Sequence, residues 1–236
     1  MKTLAVDTSS GVAAVAVMDN ETLLGEYILN HKKTHSTKLM PMVDELLRSL
    51  ELTPEDIDVY AASIGPGSFT GLRIGVTAVK SMAFAVRKPV IGIPTLDALA
   101  HNVPVTDSLV CPVMDARNNQ VYTAVFAREN GIQANITGYM GITVLELAAI
   151  IRGKNRKAVF IGDAVEIHRE FFTKELGDAC EFVPGNMMLQ RASSVAQLAY
   201  LKALKGEFEN CFDMIPFYLR KSQAEREYDR KMRVEA

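Results

Sequence analysis

The stretch SIGPGSFTGLRIG, Ser63–Gly75, sets four glycines and a proline between an apolar run, Val59–Ser63, that reads as a strand and one, Thr70–Val86, that reads as a helix. Free backbone N–H groups and the positive end of a helix dipole favour an anion at such a loop. The spacing, however, is neither G-x-x-x-x-G-K-[ST] nor G-x-G-x-x-G, and no lysine follows it. From Ser63 to Val86 the only charges are Arg73 and Lys80, while Leu72, Ile74, Val76, Val79, Met82, Phe84 and Val86 spread around the remaining circumference. A helix apolar nearly all round must be covered on two sides. Its own sheet covers one; a helix of this chain or of another must cover the second. Gly71 and Gly75, one turn apart, would let that helix approach closely. A bulky residue at either is then expected to block docking and leave the fold intact.

On the N-terminal side, Leu4–Val6, Val12–Met18 and Leu23–Leu29 read as strands joined by the turns DTSSG and DNET. Leu39, Val43, Leu46, Leu47 and Leu50 recur at helical spacing over His35–Leu50, with Thr34 as N-cap and Pro41 near the first turns. TPED, Thr53–Asp56, is a cap with proline at the first helical position. On the C-terminal side, Val90–Ile93 reads as a strand and Thr95–His101 as a short helix, and NVPVTDS as a linker. Strands are then expected at Leu109–Met114, Val121–Ala127 and Ile136–Met140. Helix Thr143–Ile151, strand Ala158–Ile161, helix Ala164–Leu176, strand Cys180–Val183 and helix Ser193–Lys205 follow. This alternation predicts an α/β layer architecture. Residues 1–103 form one subdomain and 104–192 a smaller second one; 193–221 supply a helix and strand that pack back on the core, and 222–236 a charged tail.

With 48% hydrophobic and 23% charged residues and a net charge of −2, the 236-residue chain has the composition of an ordinary globular protein. That excludes a chain that coats nucleic acid by itself; if it works on RNA, a partner supplies the basic surface. Cys111, Cys180 and Cys211 stand too far apart for a C-x-x-C pair. MKTLAVDTSS reaches Asp7 too early for a signal peptide, and no apolar run approaches the roughly 20 residues of a membrane span. A cytoplasmic location with no membrane contact is expected.

The candidate chemistry is sparse. His31 and His35 in HKKTH have the spacing of a helical metal pair, but Thr34 caps the helix between them and no acid accompanies them, so no metal site is expected. His101 and His168 are isolated. Asp7 closes the first strand before Thr8, Ser9, Ser10 and Gly11, a turn that can bind phosphate or hold a metal through water; an aspartate that merely caps the turn fits equally well. Ser68 has no histidine within motif range and is not in a G-x-S-x-G elbow. No catalytic residue is assigned.

LAVDTSS (4–10), HSTKLMPMVDELL (35–47), GPGSFTGLRIG (65–75), MDARNNQVY (114–122) and PFYLRKSQAE (216–225) resemble, in order and approximate spacing, the TsaB family of bacterial tRNA threonylcarbamoyladenosine biosynthesis proteins. The resemblance implies an actin-like ATPase (ribonuclease H-like) α/β fold, two subdomains each with a mixed sheet flanked by helices. It implies a noncatalytic subunit that binds TsaD and, in a ternary complex with TsaE, supports threonylcarbamoyl transfer to adenosine 37 of tRNAs reading ANN codons, touching tRNA only indirectly. The docking surface would be the two long helices, through His35, Leu39, Met42, Val43, Leu46, Phe69, Gly71, Leu72, Arg73, Gly75, Val76, Val79 and Lys80; a homodimer would use the same surface when the partner is missing. Thr95 and Leu99 fall where the catalytic subunit carries its metal-binding H-x-x-x-H pair. Asp7, Thr8 and Ser9 would form the first phosphate-binding turn, with weak ATP or ADP binding with magnesium at most and no required cofactor. Two further readings are a metal-dependent glycoprotease-like hydrolase and a small-molecule kinase of the actin-like class, for which Asp115 is the available cleft aspartate.

Overall fold

Two short, almost wholly apolar runs begin the chain and read as strands covered on both faces, and a third, with Thr22, Glu26 and Asn30 along it, stays exposed at the sheet's edge. In the computed structural model, which describes residues 1–31, 35–103, 105–129 and 132–220, β1 (Lys2–Asp7), β2 (Val12–Asp19) and β3 (Thr22–Asn30) form an antiparallel meander. β4 (Val59–Gly65) and β5 (Val90–Pro94) add in parallel, giving the order β3-β2-β1-β4-β5. Parallel neighbours need crossovers. These are α1 (His35–Ser49) and α2 (Phe69–Val86), whose apolar stripes bury Leu39, Val43, Leu46, Val76 and Val79 against Leu4, Val6, Val15 and Tyr60. On the opposite face α6 (Ala192–Ala203) lays Val195, Ala196 and Ala199 on Ala5, Ile91 and Ile93, beside α3 (Thr95–His101). Small side chains on both partners let helix and sheet come close.

The second half repeats this plan. β6 (Leu109–Asp115), β7 (Gln120–Thr123) and β10 (Met140–Thr143) are antiparallel neighbours, α4 (Val144–Lys154) leads to β11 (Ala158–Ile161), and α5 (Ala164–Leu176) to β12 (Cys180–Phe182). The order β10-β7-β6-β11-β12 reproduces that of the first sheet, with β6–β11 and β11–β12 parallel. A hairpin of β8 (Phe126–Glu129) and β9 (Ile132–Asn135) is added beside β6.

Three expectations need correction. Val121–Ala127 is not one strand: it breaks at Ala124–Val125, because β7 pairs with β10 while β8 turns to β9. The strand expected at Ile136–Met140 is instead the turn between β9 and β10, fixed by Asn135 Oδ1, which accepts from Thr137 N and Gly138 N. The C-terminal strand is instead an extended strap. It makes a single bridge, Glu209 with Val90, and then follows α2: Lys80 Nζ donates to the carbonyls of Phe212 (3.3 Å) and Met214 (2.8 Å), and Phe217 N donates to Ile64 O at 2.6 Å. Arg220 then reaches the other half, donating to Gly141 O at 2.9 Å. Thr34 and the tail from Ser222 lie outside the described residues.

By length and apolarity alone α2 could cross a membrane. Its Leu72, Val76, Val79 and Ala83 are sealed into the first sheet's core, as the crossover helix of an α/β layer requires.

Candidate functional site

Two places combine exposure with sequence-marked residues: a cleft of about 620 Å³ at the ends of β1 and β6, and a groove of about 750 Å³ between α1 and α2.

At the cleft Asp7 is 1% exposed. It accepts from Ser9 N (2.9 Å), Ser9 Oγ (2.7 Å) and Ser63 Oγ. Burial pushes its carboxyl upward, and the serine hydrogen bonds oppose that shift. The entry to α2 is folded directly onto this turn. Ser68 N donates to Ser9 O at 2.7 Å, Thr8 Oγ1 donates to Gly71 O at 2.7 Å, and Gly71 N is taken up by the Ser68 hydroxyl at 3.2 Å. A Cβ at Gly67 would overlap the Ser9 carbonyl; one at Gly71, the Thr8 carbonyl; one at Gly75, the Thr8 hydroxyl. The glycines of the opening stretch therefore admit the chain's own β1–β2 turn, not a neighbouring helix, and the expectation that they serve docking is overturned. Ser68 N and Gly71 N at this helix entry are hydrogen-bonded within the chain, Asp7 accepts from serines, and Ser9, Ser10 and Gly11 line the cleft.

The opposite wall is more open. Asp115 is exposed, and its Oδ1 accepts from Arg117 N at 2.7 Å. Asp163 Oδ1 accepts from Asp115 N at 3.2 Å; burial, with the Asp115 charge adding to it, pushes the Asp163 carboxyl up to about 6. Arg117, Asn118 and Asn119 are all left-handed, with φ of 63°, 55° and 56°. His35 Nε2 pairs with Ser10 O at 2.8 Å, so His35 is turned to the cleft while His31 is exposed outside it. Thr95 and Leu99 are fully buried and offer no imidazole.

The groove is lined by Met40, Phe69, Arg73, Ile74, Ala78 and Met82, with Ser36, Thr70, Thr77 and Ser81 between them. This revises the expected docking set. Leu39, Val43, Leu46, Leu72, Val76 and Val79 are at most 3% exposed and belong to the core of this chain. Lys80 is engaged with the strap and His35 with the cleft, and Met42 does not line the groove, leaving Phe69 and Arg73 as groove residues; Ile74, Ala78 and Met82 are half-buried, packed on the core on one side and open to the groove on the other. Phe69 stacks on Tyr218 of the strap, centroids 3.9 Å apart, and Arg73 Nε donates to Tyr218 Oη at 3.1 Å. The residues missed carry a readable signal: Thr70, Ile74, Thr77, Ala78, Ser81 and Met82 recur at intervals of three and four, a face of small and apolar side chains free of charge.

Two βββαβαβ halves in like order, facing each other across a cleft at the ends of their first strands, define the actin-like ATPase fold. The solved structure of a Pseudomonas aeruginosa protein "with similarity to peptidase YEAZ" superposes with TM-score 0.78 at 24% identity, over 93% of this chain and 99% of that one. Ethanolamine utilization protein EutJ from Carboxydothermus hydrogenoformans shares the fold at TM-score 0.53 and 12% identity, over 84% of this chain and 89% of that one. The sequence profile of the family TsaD: tRNA N6-adenosine threonylcarbamoyltransferase matches residues 22–228. The Bacillus subtilis tRNA threonylcarbamoyladenosine biosynthesis protein TsaB is 32% identical over 225 residues, 95% of this chain and 96% of that protein. The chain belongs to the TsaB family, within the wider group that the transferase profile describes.

Proposed function

We propose that this chain is a noncatalytic subunit of the cytosolic machinery that builds threonylcarbamoyladenosine in tRNA, and that it docks on the transferase TsaD through the α1/α2 groove, with TsaE joining the pair. The observation that carries this reading is the groove itself. Met40 is 46% exposed, and Ile74, Ala78 and Met82 line an apolar surface with small neighbours, the makeup of a site that another helix pair covers. Three facts support the division of labour: the turn at Asp7–Ser9 is filled by α2, Thr95 and Leu99 supply no metal ligand, and the composition lacks the basic excess of an RNA binder. A second copy of the chain would occupy the groove when TsaD is absent. Magnesium ATP or ADP binds weakly, because the Asp7 turn would have to open.

Thr77→Arg places a long cation at the groove from an exposed position of α2. The variant is expected to keep the wild-type melting temperature within about 2 °C, as surface changes do, and to lose copurification with TsaD and its support of tRNA modification in a reconstituted reaction. Retention of both by Thr77→Arg would overturn the assignment.

A further inference from the structure

A third cavity, of about 570 Å³, shares no residue with the cleft or the groove. It opens where α3 and α6 meet β6, β8 and β9. Its rim is apolar: Val105 is 78% exposed, Ile132 72% and Leu201 38%, although a soluble surface ordinarily scatters such residues singly. Its inner wall is apolar too, with Val110 and Phe126 buried. Against that wall stand two polar groups one helical turn apart on α3, Asp97 and His101. Asp97 Oδ1 accepts from Tyr139 Oη at 2.8 Å; its Oδ2 and both ring nitrogens of His101 have no partner among the described residues. The ammonium of Lys202 donates to Gly92 O at 3.1 Å and favours the Asp97 carboxylate through its charge, without a direct hydrogen bond or ion pair to it, so Oδ2 stays open to a donor from the cavity. Arg128 is exposed at the edge of the cavity.

An apolar pocket with a few convergent polar groups is the usual form of a small-molecule site. The free carboxylate oxygen asks for a donor, a cationic one most strongly, and the apolar walls ask for a hydrophobic body. Arg128 at the edge disfavours a second positive charge. We propose that this cavity binds a small primary monoamine with an aromatic or branched apolar body, its ammonium on Asp97 Oδ2 and its body between Val110 and Phe126.

Phenethylamine is the probe, and 2-phenylethanol its uncharged counterpart, each titrated into isotope-labelled full-length protein and followed by NMR. Phenethylamine is expected to shift the ring signals of His101 and the side-chain amide of Gln133, and to bind about tenfold more tightly than 2-phenylethanol, the worth of one charge-assisted hydrogen bond. Asp97→Asn, which keeps an acceptor for Tyr139, is expected to weaken the amine about tenfold and leave the alcohol unchanged. Ile132→Lys, at an exposed rim position where folding is not at stake, is expected to weaken the amine severalfold by repulsion. Absence of these shifts at 10 mM probe, equal binding of the two probes, or undiminished amine binding by both folded variants would overturn the proposal.

Discussion

The two halves of the molecule run the same order of strands and helices but finish them differently. Gly65, at the end of β4, and Gly162, just after β11, occupy corresponding stations with nearly the same left-handed backbone, φ 123° and 121°. Each lies against a backbone carbonyl where a Cβ would not fit: for Gly162 the carbonyl is Val113 in its own sheet, for Gly65 it is Phe217 in the strap. The turns after the first strands differ as well. That at Asp7–Ser9 is shut beneath α2, whereas that at Asp115–Asn119 faces the cleft. The helix pairs differ most. Arg152 and Glu175 join α4 to α5 at 2.8 Å, and the exposed Leu145 and Ile167 of this pair stand beside Glu146, Glu166 and Glu170; α2 presents the half-buried Ile74, Ala78 and Met82 with no acid along its length. One architecture thus yields a helix pair finished for water and another left with an apolar face, and the tightly locked turn sits under the unfinished pair.

The sharpest way to break this comparison is at the lock. Gly71→Val drives a branched side chain into the Thr8 carbonyl, and backbone cannot give way as a flexible side chain can. A loss of about 4 kcal/mol, seen as a fall of roughly 8–16 °C in melting temperature, is expected. A Gly71→Val protein with unchanged stability would show that the glycine faces outward after all.

The next largest effect lies in the second half, at Asp163. Its carboxyl ionises near 6 rather than at the ordinary value of 3.8, so the folded state holds the proton more tightly than the unfolded chain does. That favours folding fully below about pH 4 and is lost as the pH rises towards 6, a span worth at most about 3 kcal/mol at 1.4 kcal/mol per pH unit. Asp163→Asn keeps an acceptor for Asp115 N and removes the titration. Urea unfolding at pH 4 and pH 7 should therefore show a smaller loss of stability with rising pH in the variant. An identical pH slope would mean that Asp163 is solvated, and the second half's turn then lacks the buried support assigned to it.

Much of this contrast is written in the sequence. The apolar runs of β1, β2, β4 and β5 and the periodic α1 and α2 are local signals, and each covered element lies within a residue or two of its expected bounds. What pairing decides is not local. Nothing in Val121–Ala127 announces that β7 and β8 take different partners, and the strand expected within 193–221 pairs with the edge of β5 only at Glu209–Val90 before Lys80 of α2 draws the chain away. The glycines were legible as close-approach residues but not as to what approaches: the Thr8 carbonyl that meets Gly71 is 63 residues away in sequence. The same gap explains why buried leucines and valines were counted in the docking surface while Ile74 and Ala78 were not. Amphipathicity names two faces of a helix without saying which one the sheet takes.

The strap gives a smaller test of whether the first half depends on it. Tyr218→Ala removes the stack on Phe69 and the acceptor for Arg73 Nε, with a loss of about 1–2 kcal/mol expected. Tyr218→Phe keeps the stack and should lose about 0.5 kcal/mol. Equal losses in the two variants would place the stabilisation in the hydrogen bond rather than in ring contact.

The smallest effect has the opposite sign. Gly153 lies in the last turn of α4, exposed, and a Cβ there meets nothing within 4 Å. Its backbone is already that of a helix, and the left-handed position that ends α4 belongs to Asn155, two residues on. An alanine would therefore narrow the unfolded ensemble without straining the folded one, and Gly153→Ala should stabilise by about 0.5 kcal/mol, below the full glycine-to-alanine difference because the last turn of a helix frays. Calorimetry should find its melting temperature raised by roughly 1–2 °C, against the large fall for Gly71→Val. The opposite signs follow from what each glycine meets: Gly71 has a carbonyl against its bare Cα and Gly153 has water. A fall for both variants would trace the Gly71 effect to helix backbone rather than to the Thr8 carbonyl, and the closed turn beneath α2 would no longer distinguish the first half from the second.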